Sequence, residues 1–258
     1  MALPNKALGQ HWLTDREVLT SIAHEAHVSA GDVILEIGPG LGTLTSVLLK
    51  EADRVVAVEF DAELARKLPG QFPGKKLEVY NEDFLTFDLT RLPPRYKVVA
   101  NVPYYITAKI IQHLLGAENR PSVAVLLVQK EVAERLAATP GRMSVLAVSA
   151  QVASTVTLGP VVPARFFTPP PKVDSQVVVL TTRAESMLGD GEEADFYRVV
   201  KAGFSERRKK LRSSLSGGLQ LTKPEIETLL TRAGLSSDDR AQDLSIEQWL
   251  TLTRAYAS

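Results

Sequence analysis

Short apolar runs recur along the first half of this chain, at residues 32–37, 54–59, 77–80, 96–100 and 122–128. They are rich in Val, Ile and Leu, and most are closed by glycine, asparagine or an acid. Runs of this length that are apolar on both faces read as buried strands. Stretches with helical spacing, 41–51, 62–68 and 106–115, lie among them. Strand and helix in alternation specify an α/β fold, a doubly wound and mostly parallel sheet. Such a sheet binds ligands outside the carboxyl ends of its strands. Chemistry is therefore expected just after each run.

The flanks add to this frame. Thr14-Asp15-Arg16-Glu17 is a capping-box pattern, and Val18, Leu19, Ile22 and Ala26 mark a helix to about residue 27. Beyond Met143 the texture changes. Residues 145–158 and 176–182 are β-branched and are expected to pair antiparallel at one sheet edge. Between them Phe166-Phe167-Thr168-Pro169-Pro170-Pro171-Lys172 is too rich in proline for a helix and reads as a rigid loop. Residues 183–194 form the linker candidate. Everything after it has helical spacing: one helix over 195–215 with a break near Ser205, a second capped at Thr222-Lys223-Pro224-Glu225, and a third capped at Ser245-Ile246-Glu247-Gln248. Two domains are expected, 1–182 and 183–258.

Composition narrows the function classes. There is no cysteine, which excludes disulfides and thiolate metal sites. His11, His24, His27 and His113 show no ligand spacing, so no metal site is expected. The N-terminus lacks a signal-peptide core, and no apolar run reaches the roughly 18–20 residues a membrane span needs. A cytoplasmic protein is expected, and a monomer. The formal net charge is zero, yet residues 198–212 hold seven basic residues against one acid, Glu206. Arg207, Arg208, Lys209, Lys210 and Arg212 are the RNA-contact candidates, since only a local basic face meets phosphate. The plainer alternative is a solvated helix face.

Glu36-Ile37-Gly38-Pro39-Gly40-Leu41-Gly42 lies between a strand and a helix. Glycines there let backbone approach a ligand at a helix N-terminus. The dinucleotide fingerprint places its third glycine sixth, and here the sixth position is Thr43. The spacing better suits a nucleoside without a diphosphate, with Gly38 and Gly40 against it. Glu59 ends the next strand, where a carboxylate can accept both hydrogen bonds of a ribose diol. Asp83 ends the third, where it can accept from an adenine amino group. Each has a structural alternative: a tight turn, a solvated acid, a turn cap. Three at successive strand ends resemble the class I S-adenosylmethionine-dependent methyltransferases.

The fourth run leads into Asn101-Val102-Pro103-Tyr104. An adenine amino nitrogen is a poor nucleophile because its lone pair is delocalised into the ring. If the Asn101 carbonyl oxygen and a backbone carbonyl accept its two protons, the lone pair localises towards a donor methyl. Tyr104 offers a face for the base and Phe167 a second wall, with core packing as their alternative; base stacking is worth roughly 1–3 kcal/mol. The chain resembles the ribosomal RNA adenine N6,N6-dimethyltransferase family, small-subunit (16S) branch. The matching stretches are Lys6 to Leu13, Glu36 to Gly42, Val58 to Asp61, Glu82-Asp83, Asn101 to Tyr104, Phe167 to Ser175 and Phe204 to Arg212. The resemblance implies S-adenosylmethionine as cofactor, with His11, Leu13, Gly38, Glu59, Asp83 and Asn101 around it. It also implies 16S rRNA or an immature 30S subunit as partner. One departure stands out: the family usually has Asn-Phe where this chain has His11-Trp12, and a histidine there is expected to donate to the donor's carboxylate. The large-subunit (23S) adenine methyltransferases and a non-catalytic assembly factor are the other readings.

Overall fold

A computed structural model describes residues 10–206 and 208–257. In chain order the elements are β1 (Trp12–Leu13), α1 (Arg16–Glu25), β2 (Val33–Ile37), α2 (Thr43–Glu51), β3 (Arg54–Val58), α3 (Ala62–Gln71), β4 (Leu77–Tyr80), β5 (Lys97–Asn101), α4 (Thr107–Gly116), β6 (Val123–Gln129), α5 (Lys130–Leu136), α6 (Val145–Ala153), β7 (Ser154–Val162), β8 (Phe167–Thr168), β9 (Ser175–Thr182), α7 (Glu192–Gly203), α8 (Leu211–Leu219), α9 (Lys223–Arg232) and α10 (Ile246–Ala257). They divide into two compact units. One comprises residues up to Ala133 with Thr155–Thr182, the other Glu134–Ser154 with the chain from Arg183 onward.

The first unit holds a seven-stranded sheet of order β4-β3-β2-β5-β6-β9-β7. β2 pairs in parallel with β3 and β5, β3 with β4, and β5 with β6. β9 runs antiparallel to β6. Ile34, Val56, Val98, Val99, Leu126 and Leu127 are fully buried, which explains why the runs are apolar on both faces. Each such side chain contributes about 1.5–3 kcal/mol by leaving water. Residues 12–13 pair with 167–168, Trp12 opposite Thr168 and Leu13 opposite Phe167. The N-terminal strand is thereby laid against the proline-rich loop.

The second unit is helical. Phe196, Leu211, Leu215, Ile226 and Trp249 are its fully buried centre. The capping patterns at both later helices are present: Glu225 accepts from the Thr222 backbone N–H at 2.7 Å, and Gln248 from that of Ser245 at 2.8 Å.

Three expectations are corrected. Residues 145–153 are helix α6, and only 154–162 form a strand. The Ser144 side chain caps that helix through the Ala147 N–H at 3.2 Å, and Val148 and Val152 pack into the helical core. Burial outweighed β-branched propensity there. Nor do the compact units follow a single division at 182/183, since 134–154 fold with the later helices. The cap of α1 is Asp15 rather than Thr14, its carboxylate accepting from Val18 at 3.0 Å. The expected break near Ser205 is present: α7 ends at Gly203 and α8 starts at Leu211, whose N–H bonds to the Asp239 carbonyl.

Candidate active site

The order of the sheet reverses between β2 and β5, so the crevice at their carboxyl ends is where ligands bind such folds. Gly38 follows β2, Glu59 follows β3, Asp83 lies beyond β4 and Asn101 ends β5, and all four line one cavity. His11, Leu13, Gly40 and Tyr104 line it too. The turn after β2 depends on its glycines: Gly38, Gly40 and Gly42 have φ of 64°, 55° and 78°. Left-handed backbone of this kind costs little only for glycine.

Glu59 is 5% exposed. Its Oε2 accepts from Gly40 N–H and its Oε1 from Asp61 N–H, both at 2.9 Å. Burial raises its pKa, opposed by those backbone donors. An ionised carboxylate has about four acceptor positions, so each oxygen retains one for a diol. Glu36 is also buried, with Thr45 Oγ1 donating to its Oε2 at 2.6 Å. Burial pushes its carboxyl up to about 8, and the nearby Glu59 charge adds to that. Asp83 serves both readings: its Oδ1 caps residues 84–86 through Leu85 N–H at 2.9 Å, and it faces the cavity.

Asn101 Nδ2 donates to the His11 backbone oxygen at 3.3 Å, which leaves its carbonyl as the acceptor end. The Tyr104 hydroxyl shares a 2.6 Å bond with Ser175 Oγ, and burial raises its pKa, so the phenol stays protonated. The His11 ring lies 5.8 Å from that of Tyr104 at 19°. His11 Nδ1 is 2.7 Å from the Pro169 carbonyl. A carbonyl only accepts, so Nδ1 carries a proton and Nε2 of the neutral ring is an acceptor. Donation to a carboxylate through Nε2, as expected from the sequence, then requires the doubly protonated ring.

The family pattern described as Ribosomal RNA adenine dimethylase matches residues 1–258. This chain belongs to the ribosomal RNA adenine dimethylase family. The Ribosomal RNA small subunit methyltransferase A of Geobacter sulfurreducens is 42% identical over 258 residues, covering 96% of this chain and 94% of that one. The protein of the same name from Dehalococcoides mccartyi is 38% identical over 255 residues, 97% and 88% of the two chains. Among solved structures, a dimethyladenosine transferase from Plasmodium falciparum superposes with TM-score 0.80 at 26% identity, covering 94% and 96%. The 23S rRNA methyltransferase ErmE does so with TM-score 0.77 at 30% identity, covering 96% and 100%.

Within this dimethylase fold, one expected site residue is displaced. Phe167 is 2% exposed and packed in the core, and it does not line the cavity. Its β8 pairing with Leu13 turns it inward, so it supports the wall and offers no face to a base. Two aromatic residues the sequence reading left unassigned do line the cavity and are exposed, Phe60 at 62% and Tyr105 at 63%. Each directly follows an assigned residue, and that adjacency was the available signal.

Of the described basic candidates, Arg208, Lys209 and Lys210 lie on the connection between α7 and α8, and Arg212 lies in the first turn of α8. Arg208 and Lys209 are exposed, Lys210 pairs with Asp238 at 2.7 Å, and Arg212 pairs with Glu227. Arg207 and Lys6 to Gly9 lie outside the described residues.

Proposed function

We propose that this enzyme transfers methyl groups from S-adenosylmethionine to the N6 amino groups of two adjacent adenosines near the 3′ end of 16S rRNA, during maturation of the small subunit. The observation that carries the reading is one cavity lined together by Glu59, Asp83, Asn101 and Tyr104. The residues present suit the donor. Its ribose meets the Glu59 carboxylate, its adenine meets Asp83, and Gly38 and Gly40 admit it close to the backbone.

The bound donor supplies an electrophilic methyl group. The chain's own work is positioning and charge placement. Asn101 Oδ1 and the Val102 carbonyl accept hydrogen bonds from the two amino N–H groups and draw the nitrogen lone pair out of conjugation. Tyr104 stacks on the adenine, and Ser175 holds its phenol so that the ring is fixed. No strong base is needed, because the amine becomes acidic only once the methyl has arrived. Exposed Arg208 and Lys209 would hold RNA phosphates. No helix among the described residues is long and apolar enough to cross a membrane, in keeping with action on assembling ribosomes in the cytoplasm. The small-subunit substrate is favoured over 23S rRNA because the two curated relatives, 38% and 42% identical, carry small-subunit names.

The test is incubation with labelled donor and either under-methylated 30S particles or naked 23S rRNA, followed by mapping of modified adenines. Label on two adjacent 16S adenosines is expected, and absence of label from both substrates would overturn the reading. Asn101→Ala and Tyr104→Ala should fold, retain donor binding to some degree and lose transfer by about 100-fold or more.

A further inference from the structure

Tyr104 and Tyr105 are consecutive, yet they are treated differently by the fold. Tyr104 is half-buried and tied to Ser175, while Tyr105 is 63% exposed at the same cavity. No hydrogen bond or ring contact holds the Tyr105 side chain among the described residues. The backbone beneath it is nevertheless regular. Pro103 has φ −60°, residues 104–106 form a 3₁₀ turn, and α4 starts at Thr107. With three residues per turn, successive side chains diverge by about 120°, so an inward Tyr104 forces Tyr105 outward. Lys109 follows four residues later, on the first turn of α4, and is exposed.

An aromatic ring of that size normally gains by burial, so leaving one bare at the lip of a cavity implies a partner that arrives later. We infer that Tyr105 and Lys109 form a platform for the nucleotide next to the target adenosine, the ring stacking on its base and the ammonium meeting its phosphate. This rests on the function proposed above. Drawing one adenine into the cavity strips its neighbour of a stacking partner, and an exposed ring one residue from Tyr104 replaces it. The spacing of one residue suits consecutive bases of a single strand. It would also keep the second adenosine close while the first is modified.

The experiment uses the full chain, under-methylated 30S particles and labelled donor. Tyr105→Ala should lower kcat/KM for the particle by about tenfold, with Tyr105→Phe close to wild type, because stacking needs the ring and not the hydroxyl. Lys109→Ala should weaken particle binding more at low salt than at high salt. S-adenosylhomocysteine affinity, measured by calorimetry, should stay within about twofold of wild type in all three, which also reports folding. Mapping the products should show Tyr105→Ala impairing the second adenosine more than the first. If wild type is active and Tyr105→Ala matches it, the platform is refuted. If Tyr105→Ala loses donor affinity as much as turnover, the ring belongs to the donor site and the platform is equally refuted. Wild type that labels no RNA defeats the proposed function itself, and the platform falls with it.

Discussion

Glu36 shows how one residue's ionisation reaches the whole fold. It sits at the end of β2, 1% exposed, with Thr45 Oγ1 on one oxygen. Burial lifts its carboxyl from 4.5 to about 8, whereas in the unfolded chain it has the ordinary value. Between those two values the native state holds a proton that the unfolded state has released. Its contribution to stability is therefore present in full below about 4.5 and is lost as pH rises through about 8. A glutamine keeps the acceptor for Thr45 and has no proton to lose. Glu36→Gln should gain thermal stability relative to wild type as pH is raised from 5 to 8, with most of the change above pH 5. A difference in melting temperature that stays constant across that range would sink the assignment. The same scale explains the loss of Phe167 from the site. Sequence shows an aromatic beside a proline run, and only the pairing of Leu13 with Phe167 shows that its ring faces the core.

At the scale of elements, the turn from β2 into α2 sets the wall of the cavity that Gly38 and Gly40 line. Gly42 caps α2 with φ 78°, and a Cβ there would stand 2.7 Å from Leu68 Cδ1 and 3.1 Å from the Phe72 ring. Leu68 is fully buried on α3, so it has little room to move. Gly42→Ala should cost about 2–3 kcal/mol, combining backbone strain with overpacking. Urea unfolding measures this, and a loss under about 0.5 kcal/mol would mean that α3 yields more readily than its burial implies. Gly40 is less confined, its nearest contact being Trp12 Nε1 at 3.5 Å. The strands and glycine turn were legible because a strand buried on both faces has little choice but to be apolar. Helix α6 was not, because Val145, Val148 and Val152 satisfy helical spacing and β propensity alike. Which one wins depended on the buried residues waiting for that face, Phe196 and Val200 among them.

For the whole molecule, the zero formal charge conceals how the basic residues are distributed and partnered. Counting along 198–212 overstated the free positive charge, since Lys210 and Arg212 are paired with Asp238 and Glu227 from later in the chain. Among the described residues, besides Lys201 on α7, the exposed remainder is the adjacent pair Arg208 and Lys209. Replacing both by alanine should weaken particle binding and lower the slope of log affinity against log salt by about 1 to 1.5. Unchanged affinity at two salt concentrations would show that these charges are merely solvated.

By itself the sequence determined the alternation of strands and helices, and hence the sheet, its ligand-binding end and the residues that close each strand. Those are local consequences of period, length and backbone freedom. Tertiary structure alone decided that His11 Nδ1 meets the Pro169 carbonyl, 158 positions away. It alone decided that Tyr104 is anchored while Tyr105 is bare, and that residues 134–154 fold with the helical unit. In each case the outcome depends on a neighbour supplied from far along the chain, and no local pattern encodes which neighbour arrives.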